Sequence, residues 1–87
     1  MPAHRATKRR RKKLTERRDA ERRALGLRLR SARIAAGLTA ETIAKKMDVA
    51  LSTYYSWEAG ERSPRGLAEL ATVVRCSVGA LYGERAA

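Results

Sequence analysis

The chain has 87 residues and a formal net charge of +11, with 20 Lys/Arg against nine acids. That is room for one domain with a small core, and an excess of positive charge that suits a polyanionic partner, most commonly nucleic acid. One cysteine (Cys76) and one histidine (His4) exclude an intramolecular disulfide and a multi-ligand Cys/His metal site, and leave a nucleophile–histidine pair only His4 to draw on.

Accordingly no enzyme activity, cofactor or metal is expected. No apolar run is long enough to span a membrane, and the basic amino end lacks the apolar segment of a secretory signal, so the expected location is the cytoplasm, in association with the nucleoid.

The charge is unevenly spread. Residues 1–24 hold eleven Lys/Arg against three acids; residues 25–87 hold nine against six. The first segment reads as a basic arm, disordered to partly helical, ahead of a folded domain over 25–87. Met1–Lys13 is nearly free of apolar side chains, and its run Lys8, Arg9, Arg10, Arg11, Lys12, Lys13 is suited to phosphates or a narrow minor groove. The plain alternative is a solubilising tail. From Leu14 the composition turns helical: Thr15 can cap, Glu16 follows in the first turn, and Asp19 and Arg23 stand at i,i+4. Gly26 marks a weak point before the next helix.

Leu25–Ala36 carries an apolar stripe of Leu25, Leu29, Ala32 and Ala36, with Arg33 beside it and Gly37 as the stop. Thr39 caps a second helix, Ala40–Met47, in which Ile43, Ala44 and Met47 recur at helical spacing. Asp48 falls where the chain must bend through a left-handed conformation, which Asp tolerates better than most residues. A third helix follows over about Leu51–Ala59, with Ala50 where a Ser or Thr cap would be preferred. Tyr54 and Trp57 face the core, with Glu58 alongside; Ser52, Tyr55, Ser56 and Ala59 face out. Gly60 stops this helix, Pro64 starts the next, and Leu67, Leu70, Ala71 and Val74 give that helix its apolar face. Ser77 caps a short fifth helix that carries Val78, Leu81 and Tyr82. No strand pattern or internal repeat is present. Two short helices joined at Asp48 form a helix-turn-helix, which places the third helix in a major groove.

The succession LGLRLRSAR, GLTAETIAKKM, STYYSWEAG, RSPRGLAELA and CSVGALYG over residues 25–82 resembles the Cro/CI-type (XRE-like) helix-turn-helix domain of phage repressors and bacterial regulators. The resemblance implies an all-α, five-helix, lambda-repressor-like fold with a basic N-terminal extension. It also implies a pair between Arg33 and Glu58 that, with Trp57, locks the recognition helix to the scaffold. By the same resemblance Arg62 contacts phosphate and Arg65 reaches toward the minor groove; Thr39 is also expected at the DNA backbone or minor groove.

Two departures from the family pattern stand out. Ala40 occupies the position where the family often has a phosphate-contacting Gln, and the whole chain contains no Asn and no Gln. Bidentate amide reading of adenine is therefore excluded, and the outward face of the third helix has no Arg or Lys. Base contacts fall to Leu51, Ser52, Tyr55 and Ser56, so phosphate contacts and DNA shape should carry more of the binding than usual. Three readings stay open: a small regulator or phage-type repressor on a duplex operator, a low-specificity architectural or excision-type DNA protein, and a module that docks on a protein of the transcription machinery. Any homodimer is expected to be weak, formed on DNA, and built from the fourth-to-fifth helix region.

Overall fold

The computed structural model describes the backbone of residues 2–83 and the side chains of residues 13–83. Its described residues form α1 (Pro2–Ala35), α2 (Ala40–Lys46), α3 (Leu51–Glu58), α4 (Leu67–Val73) and α5 (Val78–Leu81). The expected all-helical, five-helix architecture is the one found.

The core is where helical spacing places it. Leu29 from α1, Ile43 from α2, Tyr54 and Trp57 from α3, Leu70 from α4, Val74 at its end and Leu81 from α5 are sealed from solvent, and Ala40, Ala44 and Ala71 fill the space between them. α3 is the hub, packed on α2 and α1, while α5 closes over α1 and α4. Small residues matter at these crossings because packed interiors leave no voids to absorb an extra methylene. Leu25, Ala32, Leu38, Met47 and Leu67 surround this centre half-buried.

The short helices begin and end on local chemistry. The Thr39 hydroxyl accepts from the Thr42 amide at 3.1 Å, and the Ser77 hydroxyl from the Ala80 amide at 3.0 Å. α3 has no such cap, since Ala50 has no side-chain oxygen to offer. Asp48 has the left-handed backbone expected of it (φ 55°), with the Val49 amide bonded back to the Ala44 carbonyl at 3.0 Å. Arg75 repeats that turn after α4 (φ 59°), with Cys76 bonded to Ala71 at 2.9 Å.

Several expectations are corrected. Gly26 is not a weak point: α1 runs through it, and the glycine is buried at a helix crossing. Thr15 consequently lies inside α1 rather than capping a helix. Asp19 pairs with Arg22, one turn on, instead of Arg23, which lies against Gly60. Pro64 does not start the fourth helix; the chain turns through left-handed Gly66 (φ 54°) and α4 begins at Leu67. Of the residues carried at the fifth helix, Leu81 is buried, while Tyr82 is 60% exposed.

Candidate nucleic-acid interface

α3 is held by its inner face and by its C-terminal end. Tyr54 and Trp57 are buried, their rings edge-on with centroids 6.0 Å apart. Glu58, at the last position of the helix, receives Arg33 in a forked contact: Nε donates to Oε2 at 2.7 Å and Nη2 to Oε1 at 3.3 Å. The third arm of the same guanidinium, Nη1, donates to the Leu38 carbonyl at 3.2 Å, which ties the α1–α2 connection into the contact. The Tyr54 hydroxyl also donates to Glu58 Oε2. The Arg33 and Glu58 side chains are 16% and 8% exposed, so the charges are shielded from solvent and each needs the other.

This geometry shifts protonation in a consistent direction. The hydrogen bond to Glu58 strengthens the hold of Arg33 on its proton against the opposing effect of burial. Burial, then the carboxylate it faces, keeps the Tyr54 phenol protonated well beyond the ordinary tyrosine range. The three side chains form one hydrogen-bonded cluster under α3.

Gly26 completes the mounting. A Cβ there would lie 2.3 Å from the Glu58 carbonyl oxygen and 2.6 Å from that of Trp57. Gly60 has its counterpart on the same crossing: it is left-handed (φ 76°), and a Cβ on it would lie 2.7 Å from the Cα of Arg23. Two glycines thus let the backbones of α1 and the end of α3 touch.

On the outer side, Ser52 and Tyr55 are exposed, Tyr55 by half its surface, and Ala59 continues the stripe one turn further. Leu51 is half-buried and packs on the edge of the core. Ser56 is also half-buried, and its hydroxyl donates to the Thr53 carbonyl at 2.5 Å, so it is less free to reach a base than Ser52. The Ser56 carbonyl accepts from the amides of Glu61 and Arg62 (2.9 and 3.3 Å) and thereby fixes where the next loop departs. That loop carries Arg62 and Arg65, both exposed. Thr39 is exposed at the start of α2, whereas Ala40 beside it is buried against the core. Lys13 is exposed, while the side chains of Lys8 to Lys12 lie outside the described residues.

The order and packing of α2, the Asp48 turn and α3, with a polar outer face on α3, form a helix-turn-helix unit. A helix-turn-helix family model matches residues 29–81, more than half of the chain. The chain belongs to the Cro/CI-type helix-turn-helix family. No curated protein and no solved structure is matched by the chain. As a member, this helix-turn-helix protein has a DNA-binding domain of a non-enzymatic family. Among its described residues no helix is long and apolar enough to cross a membrane.

Sequence reasoning did not find Tyr54 as a partner of Glu58, although their i,i+4 spacing on one helix was a usable signal. Nor did it find the close approach at Gly26, which depends on a residue 32 positions further along the chain.

Proposed function

We propose that this protein is a small transcriptional regulator, a phage-type repressor in its mode of action, that binds a short duplex operator in the cytoplasm. α3 enters the major groove and presents Ser52 and Tyr55, with Leu51 and Ser56 at the edges, to base edges and thymine methyls. Thr39, Arg62, Arg65 and the basic run Lys8–Lys13 meet the sugar-phosphate backbone or the minor groove. A weak homodimer through α4 and α5, formed on DNA, would match a two-fold operator, and a protein of the transcription machinery is a further partner.

The observation that carries this reading is the asymmetry of α3. One face is buried and clamped by Arg33 and Glu58, and the other carries Ser52 and Tyr55 exposed to solvent. Enrichment of binding sites from random duplex at fixed salt tests it. Recovery of a defined site bound more than about 10³-fold better than random duplex supports the regulator. Uniform binding to all sequences would favour the architectural reading, which the absence of Asn and Gln from the chain also favours.

A further inference from the structure

α1 continues far beyond the matched helix-turn-helix region, which begins at residue 29. One side of this extension faces the α3–α4 loop across a groove of about 970 Å³. Arg17, Arg18, Arg22 and Arg28 line the helix side, with Glu21 the single acid among them, and Ser63 and Pro64 stand opposite. Arg18, Glu21, Arg22, Leu25 and Arg28 recur at three- and four-residue intervals, so they form a single stripe of α1.

The arginines differ in how they are held. Arg28 lies against the backbone of Gly83, since a Cβ on that glycine would meet its Nη2 at 2.7 Å. Arg22 is paired through Nη2 with Asp19, but its Nε is shut off from solvent with no hydrogen-bond partner among the described residues. A donor in that condition is costly to leave unpaired and gains by turning to an anionic oxygen. Arg17 and Arg18 are exposed to solvent. The groove also has apolar surface, from half-buried Leu25 and exposed Tyr82. Guanidinium groups beside apolar surface fit a phosphodiester with its sugar better than a bare ion.

We propose that this groove seats a backbone phosphate and its deoxyribose from duplex DNA, so that α1 is a rigid second DNA-contacting element. Four arginines against one glutamate oppose occupation by a second copy of this basic chain. Continuity argues for DNA: Ser63 and Pro64 lie between Arg62 and Arg65, so the groove opens on the loop that the proposed function sets at the backbone. The inference rests on that reading, and adds contacts from Arg17, Arg18, Arg22 and Arg28 to it.

The test is the salt dependence of full-chain binding to a random-sequence duplex. Arg17→Ala with Arg18→Ala removes two charges from the groove; Lys45→Ala with Lys46→Ala removes two from the exposed end of α2. All four positions are helical and exposed, so both doubles should fold, which circular dichroism verifies. The groove double should flatten the plot of log affinity against log salt by about 0.9 for each phosphate that is no longer neutralised, while the α2 double should leave it near wild type. Arg17→Lys with Arg18→Lys should retain most of the slope. Equal slopes for the two alanine doubles would overturn the proposal. Arg62→Ala with Arg65→Ala separates the two failures: a flattened slope there, with no effect in the groove, sinks the groove alone. Poly-glutamate binding that is abolished in the groove double, with its duplex slope unaltered, would likewise overturn it and assign the groove to an acidic polypeptide.

Discussion

The backbone of Gly26 touches the carbonyl of Glu58: a single added methyl group on Gly26 would overlap the oxygen at 2.3 Å. The contact sits beside the Arg33–Glu58 pair, so the residue that ends α3 is gripped through both its backbone and its side chain.

Gly26→Ala should therefore destabilise the domain although it improves helix propensity. The propensity gain in a helix interior is about 1 kcal/mol. Overpacking against backbone that cannot rotate away costs about 1–3 kcal/mol, and more where two elements must separate. A net loss is expected in urea unfolding, together with weaker DNA binding as α3 is displaced. An unchanged or higher midpoint would show that the crossing can widen at no cost.

Removing Glu58 strands a shielded guanidinium. Glu58→Ala should cost about 3–5 kcal/mol, enough to unfold a substantial fraction of a small domain. Tyr54→Phe keeps the ring packing and loses one hydrogen bond to a charged group, about 1.5–3 kcal/mol. Because both act on one carboxylate, their effects should fall short of additive in a double-mutant cycle. Strict additivity of the two in thermal unfolding would mean that the phenol and the carboxylate do not interact.

Alkaline pH should weaken the fold through Tyr54. Its folded-state affinity for the proton is raised by burial and by the facing carboxylate, whereas in the unfolded chain the phenol ionises near pH ~10. Above that pH the folded state retains the proton that the unfolded state loses, so stability is full below ~10 and falls as pH rises further. Burial raises the Cys76 thiol in the same sense, so the comparison is made in a Cys76→Ala background. Tyr54→Phe should remove most of the remaining decline between pH ~9 and ~11 in denaturant midpoints. An equally steep decline without the phenol would place its origin elsewhere.

On the outer face of α3, which the proposed function sets against the bases, Ser52 and Ser56 should behave differently. Ser52 is exposed, whereas the Ser56 hydroxyl is engaged with the Thr53 carbonyl. Ser52→Gln introduces a bidentate amide worth about 1–3 kcal/mol of base discrimination and should alter the preferred base more than the total affinity. Ser56→Ala should change preference little. The check is binding to single-base variants of the enriched site, and a larger shift from Ser56→Ala than from Ser52→Ala would reverse the assignment.

Truncation separates the arm from the scaffold. Deleting residues 1–12 should leave unfolding unaffected and flatten the salt dependence of binding, as the run through Lys12 is removed. Deleting residues 1–24 should also destabilise the domain, because Arg23 packs on Gly60 and Ala24 lines the groove beside the loop. Equal stability of the two truncations would return the folded boundary to Leu25.

Where the sequence was readable, the cause was local. Thr39, Ser77, Gly37 and Asp48 act on neighbours within a few residues, and Leu29, Ile43, Tyr54 and Trp57 reveal their facing through helical spacing alone. Gly26 was misread for the converse reason: inside a helix glycine is unfavourable, and only contact with the distant end of α3 explains its presence. Pro64 offered a helix start by preference, yet the chain first passes left-handed Gly66, a choice set by how α4 docks. The outer face of α3 was legible only as an exposed stripe, since which hydroxyl is free depends on the bond from Ser56 to Thr53.

The two ends of α3 are not equally anchored. Its C-terminal turn is fixed by Gly26, Arg33 and Tyr54, while its first turn leaves Ala50 with no side chain to hold the opening amides. Fraying must begin at the uncapped end, so amide exchange should be fastest at Leu51 and Ser52 and slow progressively toward Glu58. The helix then behaves as a cantilever, rooted in the core and compliant at its tip. On the proposed docking of α3, this compliant tip would meet the DNA, and the entropy it surrenders on ordering would be a cost of recognition that a Ser or Thr at position 50 reduces in advance.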